Sequence, residues 1–225
     1  MSGARILVIN PNSNAGVTAG IDAALDSQRR SERLHIDCVT LEAGPFGIES
    51  DADIDRVTPM VVSEIRQREP DYGAFVIACY SDPGLAESRS ACGKTVLGIQ
   101  ESAVSMCATL GLRFGVLALG RDSIQRHIAY VRSLGMQGFH AGERPLEISV
   151  DDAANDPGTL ERIVDVGRAL IDEDGAEILI LGCAGLARHR RSAQLELGVP
   201  VVDPVQAAVQ LASEELGAKK EAPTA

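Results

Sequence analysis

The sequence predicts an α/β fold of two pseudo-symmetric, doubly wound parallel-sheet (flavodoxin-like) domains, with the active site in the cleft between them. Short apolar runs without charge alternate with segments of helical periodicity, which is the pattern of parallel sheets covered by helices. The order of strand, polar loop and helix returns in the second half of the chain, at an offset of about 110 residues. One apolar run in each half is followed by a single cysteine, Cys79 or Cys183, and then a glycine-bearing turn.

The first half alternates regularly between strands and helices. Apolar runs rich in β-branched residues predict its strands at 5–9, 34–40, 75–78 and 95–99. Helical periodicity predicts its helices at 17–25, 54–67, 86–92 and 102–110. The second of these helices carries Val57, Val61 and Ile65 on one face, and Pro70 limits its C-terminal end.

The second half repeats this order. Its predicted strands lie at 113–119, 139–150, 178–181 and 199–204, and the second of them is irregular. Its predicted helices lie at 124–133, 157–172 and 205–216. We therefore expect a first lobe of residues 1–98 and 205–225, which carries Cys79, and a second lobe of residues 99–204, which carries Cys183.

Composition and charge argue against several classes of partner. The net charge of −11 leaves no basic face for a nucleic acid. No apolar run approaches the roughly 20 residues of a membrane helix, and the first residues lack a signal-peptide pattern. We therefore expect a cytoplasmic protein that binds neither nucleic acid nor membrane, takes a small-molecule substrate and forms a homo-oligomer.

The cysteines and histidines indicate reduced thiols rather than disulfides or a metal site. The five cysteines include no CxxC pair, and the four histidines show no HxxxH spacing. Lys94 is the only lysine before the C-terminal tail, and no other feature indicates pyridoxal phosphate. We expect no cofactor and no metal, and we expect packing roles for Cys38, Cys92 and Cys107.

The paired placement of Cys79 and Cys183 suggests acid–base chemistry. Parallel sheets bind ligands beyond the carboxyl ends of their strands, so a pseudo-twofold axis would bring both thiols to one cleft. One thiolate could remove a proton from a carbon acid while the other thiol returns a proton to the opposite face, which inverts the centre without a cofactor. A free thiol has a pKa of about 8.5, so backbone N–H groups would have to lower it.

A polar loop at 10–14 follows the first predicted strand. Its Asn and Ser side chains are typical of turns and helix N-caps, but beside a helix N-terminus they also suit a carboxylate or imide oxygen. Asp82 in the first cysteine loop has two similar interpretations, either an Asx-turn before Pro83 or a site role.

Three segments resemble the hydantoin racemase branch of the aspartate/glutamate racemase superfamily. They are 6–13 (ILVINPNS), 78–85 (ACYSDPGL) and 181–186 (LGCAGL), and the likeness runs from residue 5 to about 215. The resemblance implies a cofactor-independent racemase of hydantoins or allantoin, with Cys79 and Cys183 as its two acid–base thiols.

The same resemblance implies a set of substrate-binding residues. These are Asn10 and Ser13, the covering-loop residues Pro45 and Phe46, and the residues after each cysteine, Tyr80, Ser81, Ala184 and Gly185. Tyr80 and Ser81 stand where hydantoin-specific members carry Phe and Asp, so the preferred substituent of the substrate stays open.

The sequence leaves two alternative functions open. An aspartate/glutamate-type racemase or a maleate isomerase-like enzyme of the same superfamily would need a basic residue in the cleft, and Arg188, Arg190 and Arg191 follow the second cysteine. Outside the enzymes, a two-lobed small-ligand binding protein or thiol redox sensor would also have two thiols facing one cleft.

Overall fold

The computed structural model describes residues 4–29 and 34–221. Its first parallel sheet has the strand order β2-β1-β3-β4, and its second has the equivalent order β6-β5-β7-β8. The strands are β1 (Ala4–Asn10), β2 (Leu34–Thr40), β3 (Ala74–Ile77), β4 (Thr95–Gly98), β5 (Phe114–Ala118), β6 (His140–Pro145), β7 (Ile178–Leu181) and β8 (Val201–Val202). The two sheets thus repeat one topology, and we call the part of the protein built on each sheet a lobe.

Helices cover both sheets, as expected when strands are apolar on both faces. They are α1 (Ala15–Ala24), α2 (Asp51–Arg68), α3 (Leu85–Ala91), α4 (Ile99–Leu110), α5 (Arg121–Ser133), α6 (Val150–Asn155), α7 (Thr159–Asp172), α8 (Arg190–Leu197) and α9 (Pro204–Glu221). Short 3-10 helices lie at Leu25–Ser27, Gln137–Phe139 and Ala184–His189. Within the described ranges, no helix combines the length and apolarity needed to cross a bilayer.

One hydrophobic cluster joins the two lobes. It contains Val8 and Val76 from the first sheet together with Val116 and Ile180 from the second. Helix α9 packs on β1, β3 and β4 and beside α4, although it follows the second sheet in the chain. The division of the chain at residues 98 and 204 stays a prediction, and residues 1–3, 30–33 and 222–225 of the predicted first lobe lie outside the described residues.

The predicted fold class is confirmed, and most elements agree with their predicted bounds. Strand β2 and strand β7 match theirs, whereas α4 begins three residues earlier than the predicted start at Ser102. The predicted strand at 199–204 contains only two residues of β8, because its end turns into the start of α9.

The sequence analysis did not predict helix α6, which begins at the last residue of the predicted strand at 139–150 and continues to Asn155. It has a capping box, since the Ser149 hydroxyl accepts from the Asp152 backbone N–H and the Asp152 carboxylate accepts from the Ser149 backbone N–H. The spacing Ser-x-x-Asp was the available sequence signal. Strand β6 therefore ends at Pro145, and the chain enters a short helix beside the cleft.

Candidate active site

A cavity of about 170 Å³ lies between the lobes, beyond the carboxyl ends of the strands. The first lobe lines it with Asn12, Val17, Ile48 and Glu49 and with residues 78–81. The second lobe contributes residues 119–123 except Arg121, together with Arg126, His127, Ile148, Val150 and residues 182–184. The cavity therefore has the position that parallel α/β sheets give to ligand sites.

Cys79 and Cys183 both line this cavity, one from each lobe. Each follows the end of the equivalent strand by two residues, after Ile77 in β3 and after Leu181 in β7. The two loops also make equivalent hydrogen bonds, because the backbone N–H of Ala78 donates to the neighbouring strand at 2.8 Å and that of Gly182 does so at 2.9 Å. The repeat in the sequence thus places the two thiols at matching points of matching sheets.

The environment of both thiols favours the protonated form. Burial raises the pKa of Cys79 to about 12, and the neighbouring Cys183 sulfur and Asp82 carboxylate act in the same direction. Burial also raises the pKa of Cys183 to about 11, with Glu49 adding to the effect. Backbone N–H groups oppose these shifts, that of Ser81 at Cys79 and that of Gly185, 3.3 Å from the Cys183 sulfur.

Two of the three asparagines of the polar loop, Asn10 and Asn12, occupy different layers. The Asn10 side chain is buried, and its Nδ2 donates to Asn12 Oδ1 at 2.9 Å and to Thr18 Oγ1 at 3.0 Å. Asn12 lines the cavity, and its Oδ1 also accepts from the Asn14 backbone N–H at 3.0 Å. Asn10 thus holds Asn12, whose Nδ2 has no hydrogen-bond partner in the described part of the chain.

The loop between β2 and α2 covers one side of the cavity. The Ser13 backbone N–H donates to the Pro45 carbonyl at 2.8 Å, and a Cβ at Gly44 would lie 2.5 Å from the Pro11 carbonyl oxygen. The close approach of the two loops at position 44 therefore requires a residue without a Cβ. Ser13 and Pro45 support the loop, and Phe46 is 60% exposed at its tip.

A buried acid–histidine pair lies behind the cavity wall. His127 Nδ1 is 2.6 Å from Glu143 Oε1, and the two side chains are 4% and 1% exposed. The Tyr80 ring packs edge-on against the His127 ring, with centroids 5.1 Å apart. No sequence signal indicated this pair, because its members lie 16 residues apart on a helix and a strand.

Arg126 is the arginine among the described residues of the cavity wall. Its Nη1 pairs with Asp51 at the start of α2, so the ion pair links the two lobes. Arg188 instead donates to the Ala154 carbonyl and does not line the cavity, and neither Arg190 nor Arg191 does. Among the described residues, Arg126 therefore lines the cavity, and the three arginines after the second cysteine do not.

Asp82 does not line the cavity but caps helix α4. Its Oδ1 accepts from the Gln100 backbone N–H at 3.0 Å and its Oδ2 from that of Glu101 at 2.9 Å. Its φ of 45° lies in the left-handed region. The carboxylate thus satisfies two N–H groups at the start of α4, a role that neither proposed interpretation included.

The structure separates the predicted site residues into two groups. Those that line the cavity are Cys79, Tyr80, Ser81, Cys183 and Ala184. Those that lie behind or beside it are Asn10, Ser13, Pro45, Phe46 and Gly185. The residues that sequence reasoning missed include Asn12, Glu49, Arg126 and His127. The roles of all of them in substrate binding remain predictions.

Comparisons with known proteins agree with the resemblance. The family model for Asp/Glu/Hydantoin racemase matches residues 6–212. A hydantoin racemase of Pseudomonas sp. (strain NS671) is 39% identical over 219 residues, covering 96% of this chain and 88% of that protein. A second hydantoin racemase, from Rhizobium meliloti, is 35% identical and covers 95% of this chain and 89% of its own length.

A solved structure gives the same result. The allantoin racemase from Klebsiella pneumoniae superposes with a TM-score of 0.88 at 30% identity, covering 99% of this chain and 91% of that one. The predicted racemase-type isomerase is therefore confirmed at the level of the enzyme class. The chain belongs to the Asp/Glu/Hydantoin racemase family.

Proposed function

We propose that the protein inverts the stereocentre of a 5-substituted hydantoin or of allantoin by proton transfer between two cysteines. The observation that carries this proposal is the presence of Cys79 and Cys183, from equivalent loops of the two lobes, in the wall of one cavity. The likeness to hydantoin and allantoin racemases favours a cyclic ureide as the substrate.

The proposed step balances with the two thiols alone. The thiolate of one cysteine takes the proton from the carbon between the ring carbonyl and ring nitrogen, and the electron pair moves onto the carbonyl oxygen. The thiol of the other cysteine then gives its proton to the opposite face of that carbon. The product is the opposite enantiomer, and the two cysteines have exchanged protonation states.

The cavity wall supplies donors for the charge that develops on the carbonyl oxygen. Asn12 Nδ2 has no partner among the described residues, and Asn12 lines the cavity. Its amide is held in place through Oδ1 by Asn10 and Asn14, so it is oriented before substrate binds. A fixed donor of this kind stabilises an enolate oxygen without reorganisation.

The size of the cavity favours a small substrate. A cavity of about 150 Å³ in another protein accepts benzene, and the cavity here measures about 170 Å³. A five-membered ureide ring with a short substituent fits this volume.

The test is incubation of single enantiomers in D₂O. The substrates are 5-methylhydantoin, 5-benzylhydantoin, allantoin, L-aspartate and L-glutamate, and the readouts are optical rotation and deuterium at the stereocentre by NMR. We expect loss of rotation with deuterium uptake for the ureides, fastest for the small ones, after subtraction of the protein-free rate. No acceleration with any ureide would refute the proposal, and activity on the amino acids alone would support the alternative amino-acid racemase.

A further inference from the structure

The His127 side chain is held by two contacts, and its backbone makes a third. Its Nδ1 contacts Glu143 at 2.6 Å, its ring packs against Tyr80 with an interplanar angle of 84°, and its backbone carbonyl accepts from Gln100 Nε2 at 3.4 Å. Helix α5 brings the ring to the cavity, and strand β6 brings the carboxylate behind it. The ring therefore has one orientation relative to the cavity.

The contact with Glu143 determines which nitrogen of the His127 ring carries the proton. A carboxylate only accepts, so the nitrogen that faces it at Nδ1 is the protonated one, as in other carboxylate–histidine pairs. In the neutral ring this leaves a lone pair on Nε2. Nε2 makes no hydrogen bond within the described residues, and it is not among the fully buried side-chain atoms that lack a partner, so it retains access to solvent. His127 is also one of the residues that line the cavity.

The wall of the cavity thus presents a donor and an acceptor. Asn12 Nδ2 is the donor and His127 Nε2 is the acceptor, and both lack partners in the described part of the chain. A cyclic ureide carries carbonyl oxygens and N–H groups within one ring, so it complements both. A carboxylate offers acceptors only and leaves the His127 lone pair unmatched.

We propose that His127 determines specificity by accepting a hydrogen bond from a ring N–H of the substrate through Nε2. Glu143 acts as a positioning residue, since it holds the tautomer and the ring orientation that make this contact available. This inference rests on the proposed function, because the ring N–H belongs to the cyclic ureide. The group recognised is thus a ring N–H of the substrate, and His127 is the residue that binds it.

The pair has no evident role in stability. Burying two ionisable groups is often no more stabilising than an apolar pair of the same volume. Glu143 Oε2 is buried and has no hydrogen-bond partner among the described residues, so the pair is not a fully satisfied network. A role in recognition accounts for its position in the cavity wall.

The experiment compares three substrates: 5-methylhydantoin, its N1-methyl form and its N3-methyl form. The methylation penalty is the ratio of kcat/KM for the parent to kcat/KM for the methylated substrate. In the wild type we expect a penalty of about 10- to 100-fold at one of the two nitrogens, the size of one unmatched hydrogen bond. A wild-type penalty below about threefold at both nitrogens overturns the inference without any variant.

Two variants separate the hydrogen bond from steric exclusion of the methyl group. The double variant His127→Leu/Glu143→Leu removes both polar partners and so leaves no unpaired buried carboxylate. We expect its penalty to fall to about threefold or less, since the acceptor is gone. In His127→Gln the amide group reaches the place of Nε2, and we expect it to retain part of the penalty.

An unchanged penalty in the folded double variant overturns the inference, because methyl exclusion alone would then explain the wild type. Circular dichroism and thermal unfolding establish that each variant is folded. These outcomes are distinguishable from failure of the proposed function. In that case the wild type would not racemise 5-methylhydantoin at all. Failure of this inference leaves the wild-type reaction with 5-methylhydantoin intact and is seen only in the methylation penalties.

Discussion

The two cysteine loops are equivalent in sequence order, yet their surroundings differ. The third residue after each cysteine makes the same turn, with the Asp82 N–H donating to the Cys79 carbonyl at 2.9 Å and the Leu186 N–H to the Cys183 carbonyl at 3.2 Å. Asp82 sends its carboxylate to the start of α4, whereas Leu186 is fully buried in the apolar core. Asp82 therefore ties the first loop to the start of α4, and Leu186 makes no such polar contact in the second loop.

The second half has its cap in a different place. Helix α9 is capped by Asp203, the residue just before it, whose Oδ1 accepts from the Val205 N–H at 2.8 Å. The residue just before α4 is Gly98, which has no side chain to cap, and a Cβ there would overlap the Asp82 carboxyl group. Burial raises the pKa of Asp82 to about 7 and that of Asp203 to about 6. The two halves thus satisfy the same helix start with acids from different elements.

Two thiols at matching positions therefore lie in loops that are held by different hydrogen bonds. Cys183 begins a turn in which its own sulfur accepts from the Gly185 N–H and its carbonyl accepts from the Leu186 N–H. The Cys79 loop depends on a contact with a residue 18 positions further along the chain. Whether the thiols act as a pair can be tested separately from whether their supports differ.

The largest effect is expected from single replacement of either thiol. Cys79→Ser and Cys183→Ser should each reduce racemisation by about 10²- to 10⁴-fold, because each removes one of two acid–base groups. In D₂O each variant should still exchange the proton of one enantiomer without inversion, and the two variants should act on opposite enantiomers. Chiral chromatography measures inversion, and NMR measures exchange.

A control cysteine lies outside the cavity. Cys92 at the end of α3 accepts from the Lys94 backbone N–H and is not among the described residues that line the cavity, so Cys92→Ser should keep the wild-type rate within about twofold. Wild-type racemisation by either Cys79→Ser or Cys183→Ser would rule out the two-thiol scheme. Exchange of the same enantiomer by both variants would show that the two loops do not serve opposite faces.

The next effect concerns pH. Because burial raises the pKa of both thiols to about 12 and about 11, the reacting thiolate is scarce at neutral pH. We therefore expect kcat/KM to rise about tenfold per pH unit from pH 7 to 9, after subtraction of the protein-free rate at each pH. The profile should be the same from either enantiomer, since the equilibrium constant of a racemisation is one. A flat profile in this range would contradict the raised thiol pKa values.

The sequence predicted the features that depend on local pattern. Buried parallel strands are visible as charge-free apolar runs, so β2 and β7 and the cysteines after β3 and β7 were found, together with the repeat. The early start of α4 was missed because its cap, Asp82, lies 18 residues away from Gln100. His127 and Glu143 were missed for a similar reason, since helix α5 and strand β6 bring them together only in the fold.

The smallest expected effect comes from transferring the cap of the second half to the first. Asp82→Gly removes the cap of α4 but relieves the left-handed backbone, so we expect a net loss of about 1–2 kcal/mol in unfolding free energy. Gly98 has φ −91° and ψ 145°, the conformation of an ordinary N-cap, so Asp82→Gly/Gly98→Asp should regain about 1 kcal/mol. Urea denaturation measures both changes.

The same variants separate stability from the placement of Cys79. In the double variant α4 is capped again, but the Cys79 loop is no longer tied to it, so kcat/KM should stay about tenfold or more below wild type. Asp203→Ala is the matched control, because it removes the cap of α9 without a hydrogen bond to the Cys183 loop. It should lower stability by a similar amount and leave kcat/KM within about threefold of wild type. If stability and activity recover together in the double variant, Asp82 serves only the helix, and the two cysteine loops are equally self-supporting.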